Sequence, residues 1–168
     1  MYTPSYYSFP CLHNIWILYA LSMESLTSIL SKQATFIAYV PLRGEVDFRA
    51  FLKVSEDANV YAIAPRAALD PAEEARKAAA VAGGRPVALL MPGRAFDRFG
   101  TRHGQGGGWY DRFLSFVPKE WLRVGFCFEK QFSNERLPKN PWDQSVDFVC
   151  VVTDDGKIRA IKTNARIK

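Results

Sequence analysis

The chain has 168 residues, 48% hydrophobic and 23% charged, which is enough for one domain with a buried core and too few for two. Three cysteines (Cys11, Cys127, Cys150) and two histidines (His13, His103) are widely spaced and lack paired ligand spacing, so neither a disulfide framework nor a zinc centre is indicated; any metal should be a hard, oxygen-liganded ion. The formal charge of +5 comes from Lys and Arg scattered along the chain, which argues for anionic small molecules over a nucleic-acid surface as partners.

Residues 1–24 read as an N-terminal arm or helix, followed by one domain over residues 25–168. Met1–Pro10 is aromatic and Pro-punctuated, with no helical or strand period. Cys11–Met23 is apolar but shorter than the roughly 20 residues that a membrane span requires. No Lys or Arg occurs before Lys32, so neither a secretory signal nor a transit peptide is expected. The expectation is a cytoplasmic, monomeric protein.

From Ser25 onward helical and strand-like stretches alternate, the pattern of an α/β domain with a mostly parallel sheet. A helix over Ser25–Gln33 precedes the β-rich run Thr35–Val40, which Pro41 stops. Asp47 suits the N-cap of a short helix through Val54, with Phe48, Phe51 and Leu52 on one face. Asn59–Ala64 predicts a second strand. Asp70-Pro71-Ala72-Glu73-Glu74 opens the best-marked helix, with an N-cap, a first-position proline and two carboxylates at the positive end of the helix dipole; Gly83-Gly84 ends it. Val87–Met91 is a short buried strand and Trp109–Phe116 has helical spacing. Trp121–Phe128 and Val146–Val152 read as strands, and Lys157–Lys162 adds a hairpin edge after the Asp154-Asp155-Gly156 turn. The basic residues Lys157, Arg159, Lys162, Arg166 and Lys168 read as solvated surface; RNA binding through them ranks last among the readings.

The segment Met91–Leu114, MPGRAFDRFGTRHGQGGGWYDRFL, carries the chemistry. A strand enters a long loop, the loop becomes almost pure glycine, and a helix follows. Gly104, Gly106, Gly107 and Gly108 let backbone N–H groups turn toward a polyphosphate, and the following helix adds its positive end. Arg102 and Arg98 can add forked contacts, and Asp111, one turn into the helix, is placed to hold Mg2+. On their own the glycines also fit a plain flexible loop. No Gly-Lys-Ser/Thr ends the run, so it is not an ATPase P-loop, and it is not a clean dinucleotide fingerprint.

Pro92–Asp97 followed by Gly100–Leu114 resembles the signature of the 5-formyltetrahydrofolate cyclo-ligases (methenyltetrahydrofolate synthetases). Three further stretches agree in order: Tyr39–Asp47; Val124–Phe128 with Gln131; and Leu137-Pro138 with Trp142–Asp147 before Val152-Thr153. The resemblance covers roughly residues 25–155. It implies a three-layer Rossmann-like fold, and an enzyme in which ATP phosphorylates the formyl oxygen of 5-formyltetrahydrofolate, the neighbouring nitrogen closes the ring, and phosphate leaves to give the 5,10-methenyl product. It further implies that Arg102, His103, Gly104, Gln105, Gly106, Gly107, Gly108, Trp109 and Tyr110 wrap the ATP phosphates, with Arg102 and Tyr110 catalytic. Asp111 and Asp143 become the Mg2+ carboxylates, and Glu45, Trp109 and Tyr110 meet the folate. For Asp143, the residues alone favour a cap or turn role.

Three departures bear on activity. The family's basic first helix has no counterpart before Lys32, as though the native chain began differently. Only about 20 residues separate the strands ending at Pro65 and starting at Val87, room for one crossover helix, where relatives carry an insert with aromatic folate contacts. Gly107 stands where many members have lysine. The alternative reading is therefore a non-catalytic relative that binds a nucleotide or a protein partner.

Overall fold

The structure, a computed structural model, describes residues 26–52, 57–64, 69–163 and 165; the expected N-terminal arm and the tail residues Arg166 and Lys168 lie outside the described residues. Among the described residues no helix is long and apolar enough to cross a membrane.

Six strands make the main sheet: β1 (Thr35–Tyr39), β2 (Asn59–Ile63), β3 (Val87–Pro92), β6 (Leu122–Phe128), β8 (Phe148–Val152) and β9 (Ile158–Lys162). Their order is β2-β1-β3-β6-β8-β9, every pairing parallel except the terminal β8–β9 hairpin. β1, β3 and β8 are buried at every position, as expected of strands covered on both faces. Alternation sorts their side chains into two cores. Ile37, Val87, Leu89 and Met91 point to one layer; Phe36, Ala38, Ala88 and Leu90 point to the other.

The first layer is made by helices α2 (Pro71–Ala82) and α3 (Trp109–Phe116). α2 begins as its sequence predicts, with the Asp70 side chain accepting from Ala72 N at 3.2 Å, and its buried Ala75, Ala78 and Ala82 let it sit close to the sheet. Glu74 does more than complement the dipole. It is buried and accepts from Tyr61 Oη at 3.1 Å and Lys77 Nζ at 2.9 Å, which meets the cost of removing its charge from water. The opposite layer holds helix α1, described over residues 26–30, and a 3-10 turn at Phe48–Ala50. The helix expected from Asp47 to Val54 is thus only that turn where it is described: Asp47 caps Arg49 N, and Phe51 N and Leu52 N both return to Phe48 O. Residues 53–56 lie outside the described residues.

A second sheet was not expected. β4 (Ala95–Asp97), β5 (Arg102–His103) and β7 (Phe132–Ser133) pair in the order β5-β4-β7 inside what reads as loop. Phe96, fully buried, pins this sheet to β6 by filling the space left by Gly125, where an ideal Cβ would lie 2.3 Å from the ring. Asp97, also fully buried, ties the local chain together: Oδ1 accepts from Phe99 N and Thr101 N, and Oδ2 from Leu137 N, all at 2.8–2.9 Å.

Candidate functional site

In an open parallel sheet the place for a ligand is outside the carboxyl ends of the strands, where the winding reverses. Here that point lies between β1 and β3, since β2 lies on one side of β1 and the later strands on the other. A cleft of about 1420 Å³ opens there. Its walls come from the segments after β1 (Val40, Leu42, Glu45), after β2 (Leu69, Asp70) and after β3 (Gly93, Arg94), from residues 102–112, and from Asn140, Trp142, Asp143 and Gln144. Apart from Arg98, every residue singled out from sequence as phosphate, metal or substrate contact lines this one cleft.

The glycine run forms one rim. Gly106 has φ +89° with nothing within 4 Å of an ideal Cβ, so backbone conformation and not space demands glycine there. At Gly104 an ideal Cβ would sit 2.8 Å from Arg102 Nη1, so a side chain there would press on that guanidinium. Gly108 precedes α3 without a side-chain cap. The first backbone hydrogen bond of the helix is Arg112 N to Gly108 O, which leaves the amides of Trp109, Tyr110 and Asp111 without intrahelical acceptors at the positive end of the dipole.

Arg102 is not the solvent-facing clamp that its place beside the glycines suggests. Its side chain is only 3% exposed and supports the loop from below, with Nη1 donating to Pro92 O at 3.4 Å and Nη2 reaching Asp111 Oδ2 at 3.5 Å. The guanidinium lies 5.0 Å from the centroid of the Tyr110 ring. Burial lowers the Arg102 pKa, and the charge of Asp111 opposes that shift; a guanidinium still keeps its proton at neutral pH. Tyr110 is pushed upward by burial, so its hydroxyl stays protonated. That hydroxyl and Arg102 Nε are both buried without a hydrogen-bond partner among the described residues. Unpaired buried polar atoms are rare in folded proteins, and two on neighbouring cleft residues suit a polar ligand.

The two acidic residues expected to share a metal are held by adjacent links. Asp111 Oδ1 accepts from Gln144 N at 3.0 Å, and Asp143 Oδ2 accepts from Asn140 N at 2.8 Å. Asp143 therefore has the turn role that the residues alone favoured, while also lining the cleft. Across the cleft, Glu45 Oε2 accepts from Leu42 N at 3.0 Å, and Tyr39 Oη donates to Val46 O. Burial, then the charge of Glu45, raises the pKa of Tyr39.

Trp109 stacks on Phe113, with ring centroids 5.2 Å apart and 13° between planes, and donates Nε1–H to Leu69 O at 2.8 Å. It joins the start of α3 to the segment before α2. His103 Nε2 lies 2.6 Å from Pro138 O, and Gln131 braces Phe128 N and Gly93 O. Two more arginines, Arg94 and Arg112, line the cleft, whereas Arg98 turns to Phe99.

Sequence reasoning missed three participants. Asp97 organises the loop. Arg123, 3% exposed, donates through Nη1 to Gln144 Oε1 at 3.1 Å and through Nη2 to Leu114 O at 3.4 Å, fixing the residue whose amide holds Asp111. Its signal was visible as a charge within the apolar strand Leu122–Phe128. Trp142, 68% exposed, stands at the rim of the cleft.

Comparison with known proteins bears on the family and the fold. The model of the 5-formyltetrahydrofolate cyclo-ligase family matches residues 56–152, more than half of the chain. Similar curated proteins include the 5-formyltetrahydrofolate cyclo-ligases of Mycoplasma genitalium, 34% identical over 61 residues (36% of this chain and 36% of that protein), and of Haemophilus influenzae, 43% identical over 56 residues (33% and 29%). The chain thus spans about a third of the length of the curated relatives it matches. Two solved 5,10-methenyltetrahydrofolate synthetases share the fold. That of Mycoplasma pneumoniae is 20% identical, with 83% of this chain and 88% of that one covered and a TM-score of 0.52; that of Aquifex aeolicus is 22% identical, with 95% and 89% covered and a TM-score of 0.54. By the match over more than half its length, the chain is a member of the 5-formyltetrahydrofolate cyclo-ligase family.

Proposed function

We propose that the chain converts 5-formyltetrahydrofolate to 5,10-methenyltetrahydrofolate with ATP and Mg2+. The observation that carries this reading is the placement of the glycine rim, the buried Arg102 and the unpartnered Tyr110 hydroxyl in the same cleft as Glu45, Asp111 and Asp143. In this reading the amides of Gly104–Gly108 and of the first turn of α3 receive the ATP phosphates, with Arg94 and Arg112 beside them. Among the described residues four carboxylates line the cleft (Glu45, Asp70, Asp111, Asp143) against three guanidiniums (Arg94, Arg102, Arg112), so a polyphosphate is best accommodated together with a divalent cation. Asp111 and Asp143 would hold Mg2+, which commonly takes one or two protein carboxylates plus phosphate oxygens; when bound it neutralises phosphate charge.

Arg102 holds positive charge under the loop in a site shielded from water, where it acts more strongly than a solvated arginine. The Tyr110 O–H is a donor waiting at the same wall. Glu45 accepts N–H groups from the edge of the folate ring system. The free, buried thiols of Cys127 and Cys150 suit the reducing cytoplasm, where we place the reaction.

A second reading, nucleotide binding without turnover, is favoured by the connection of β2 to β3, in which α2 is the one regular element among the described residues between the strands. Calorimetric titration with MgATP and an absorbance assay for the methenyl product separate the two. Binding with turnover supports the enzyme, binding without turnover supports the second reading, and no binding overturns both.

A further inference from the structure

A second cavity, of about 200 Å³, is lined by Phe99, Thr101, Arg136, Lys139, Ser145 and Ala165 and shares no lining residue with the cleft. Among its described lining residues the charge is all positive, from Arg136 and Lys139. The Arg136 guanidinium lies 4.1 Å from the centroid of the Phe99 ring, and that of Arg98, which is not a lining residue, lies 5.7 Å from the same centroid. Neither arginine, nor Lys139, forms an ion pair among the described residues. Asp97 is not among the lining residues, and its two oxygens accept from three backbone amides. Lys139 Nζ donates to the hydroxyl of the buried Ser145, which fixes the ammonium at the cavity wall.

We propose that this cavity is a second oxyanion site that takes a phosphate group. Guanidinium and ammonium donors around a small cavity with hydroxyl side chains match a compact anion with several acceptor oxygens. The volume admits a phosphate with ordered water and is too small for a nucleotide. The site also abuts the chemistry of the cleft. Lys139 and Ser145 bracket Asn140–Gln144, the segment that brings Asp143 into the cleft and presents the Gln144 amide to Asp111. An anion held at Lys139 therefore sits at the base of the segment that carries Asp143 and Gln144.

The test is amide NMR on the full chain titrated with inorganic phosphate and, separately, with glycerol phosphate, for the parent and for the double variant Arg136→Ala/Lys139→Ala. The expected result is saturable shifts at the amides of Thr101, Arg136, Lys139 and Ser145, with phosphate affinity at those amides at least about tenfold weaker in the double variant. Inorganic phosphate binding more tightly than the ester identifies free phosphate as the ligand; comparable affinities identify the phosphate of a larger metabolite. Shifts confined to Gly104–Gly108, or equal affinity in parent and variant, overturn the proposal. MgATP binding to the parent chain, measured in parallel, reports on the cleft separately, so failure here is distinguishable from failure of the proposed function.

Discussion

The role given to Asp111 makes the most discriminating prediction. Asp111→Asn keeps the shape of the side chain and an oxygen able to accept from Gln144 N, but removes the charge facing Arg102 at 3.5 Å and the anionic oxygens offered to a metal. The Coulomb energy of two unit charges at that separation is about 5 kcal/mol at an effective dielectric near 20. Much of it is offset on substitution, since Arg102 retains the field of Asp143, the face of Tyr110 and the Pro92 carbonyl, and Asp111 is itself 17% exposed. A net loss of about 1–3 kcal/mol in the ligand-free protein follows, or about 2–4 °C of Tm for each kcal/mol. Independently, Mg2+ should no longer strengthen ATP binding by calorimetry. Both effects are expected with the circular dichroism of the native fold retained. Should the Asp111→Asn variant keep the Mg2+ dependence of ATP affinity intact, the metal role is wrong even if stability falls; should stability also be unchanged, the buried pair with Arg102 is wrong as well.

Three further outcomes follow from local geometry. Gly106→Ala places a Cβ on a residue at φ +89° and should cost about 1–2 kcal/mol in urea unfolding while weakening MgATP binding, whereas Gly107→Ala, at ordinary φ and with open space around it, should stay within about 0.5 kcal/mol of the parent. Equal costs at the two positions would refute the distinction between conformation and space. Gly125→Ala drives a Cβ to 2.3 Å from the Phe96 ring and should destabilise by about 3 kcal/mol; adding Phe96→Leu should return part of that loss, a non-additivity that a double-mutant cycle measures directly. Burial pushes the Cys127 thiol up to about 12 and raises that of Cys150, so at pH 8 the Cys127 thiolate is about one part in ten thousand. Peptide mapping after brief alkylation should find both thiols unmodified in the native protein and both modified in denaturant; rapid native labelling of either would contradict the packing of β6 against β8.

Much of the architecture is legible in the sequence because it rests on short-range signals. The runs at Thr35, Asn59, Val87, Trp121 and Val146 are long and apolar enough to be strands, and the cap at Asp70 with proline behind it marks α2 within a residue. The second sheet is not legible for a physical reason. Strands of two or three residues have no period to detect, and β5 consists of an arginine and a histidine, whose types speak of solvent while the fold buries Arg102. The expected helix after Asp47 fails similarly: its capping signal is real, but the described backbone turns back on Phe48, whose side chain is taken by the core.

The candidate site divides along the same line. Residues that act through their backbone, the glycines and the start of α3, can be placed from sequence because glycine content and a helix start are local facts. Residues that act through partners cannot. Whether Arg102 touches solvent depends on Tyr110 and Asp111 folding over it; whether Asp143 is a turn residue or a cleft carboxylate depends on where the 134–147 segment lies, and the structure shows it is both. Arg123 is the sharpest case. Buried on β6, it reaches Gln144, whose amide holds Asp111, so a side chain outside the cleft lining fixes the carboxylate on which the proposed metal site depends. A charge inside an apolar strand is therefore the signal to follow from sequence toward a site, because the fold retains such a charge only where it has partners to satisfy it.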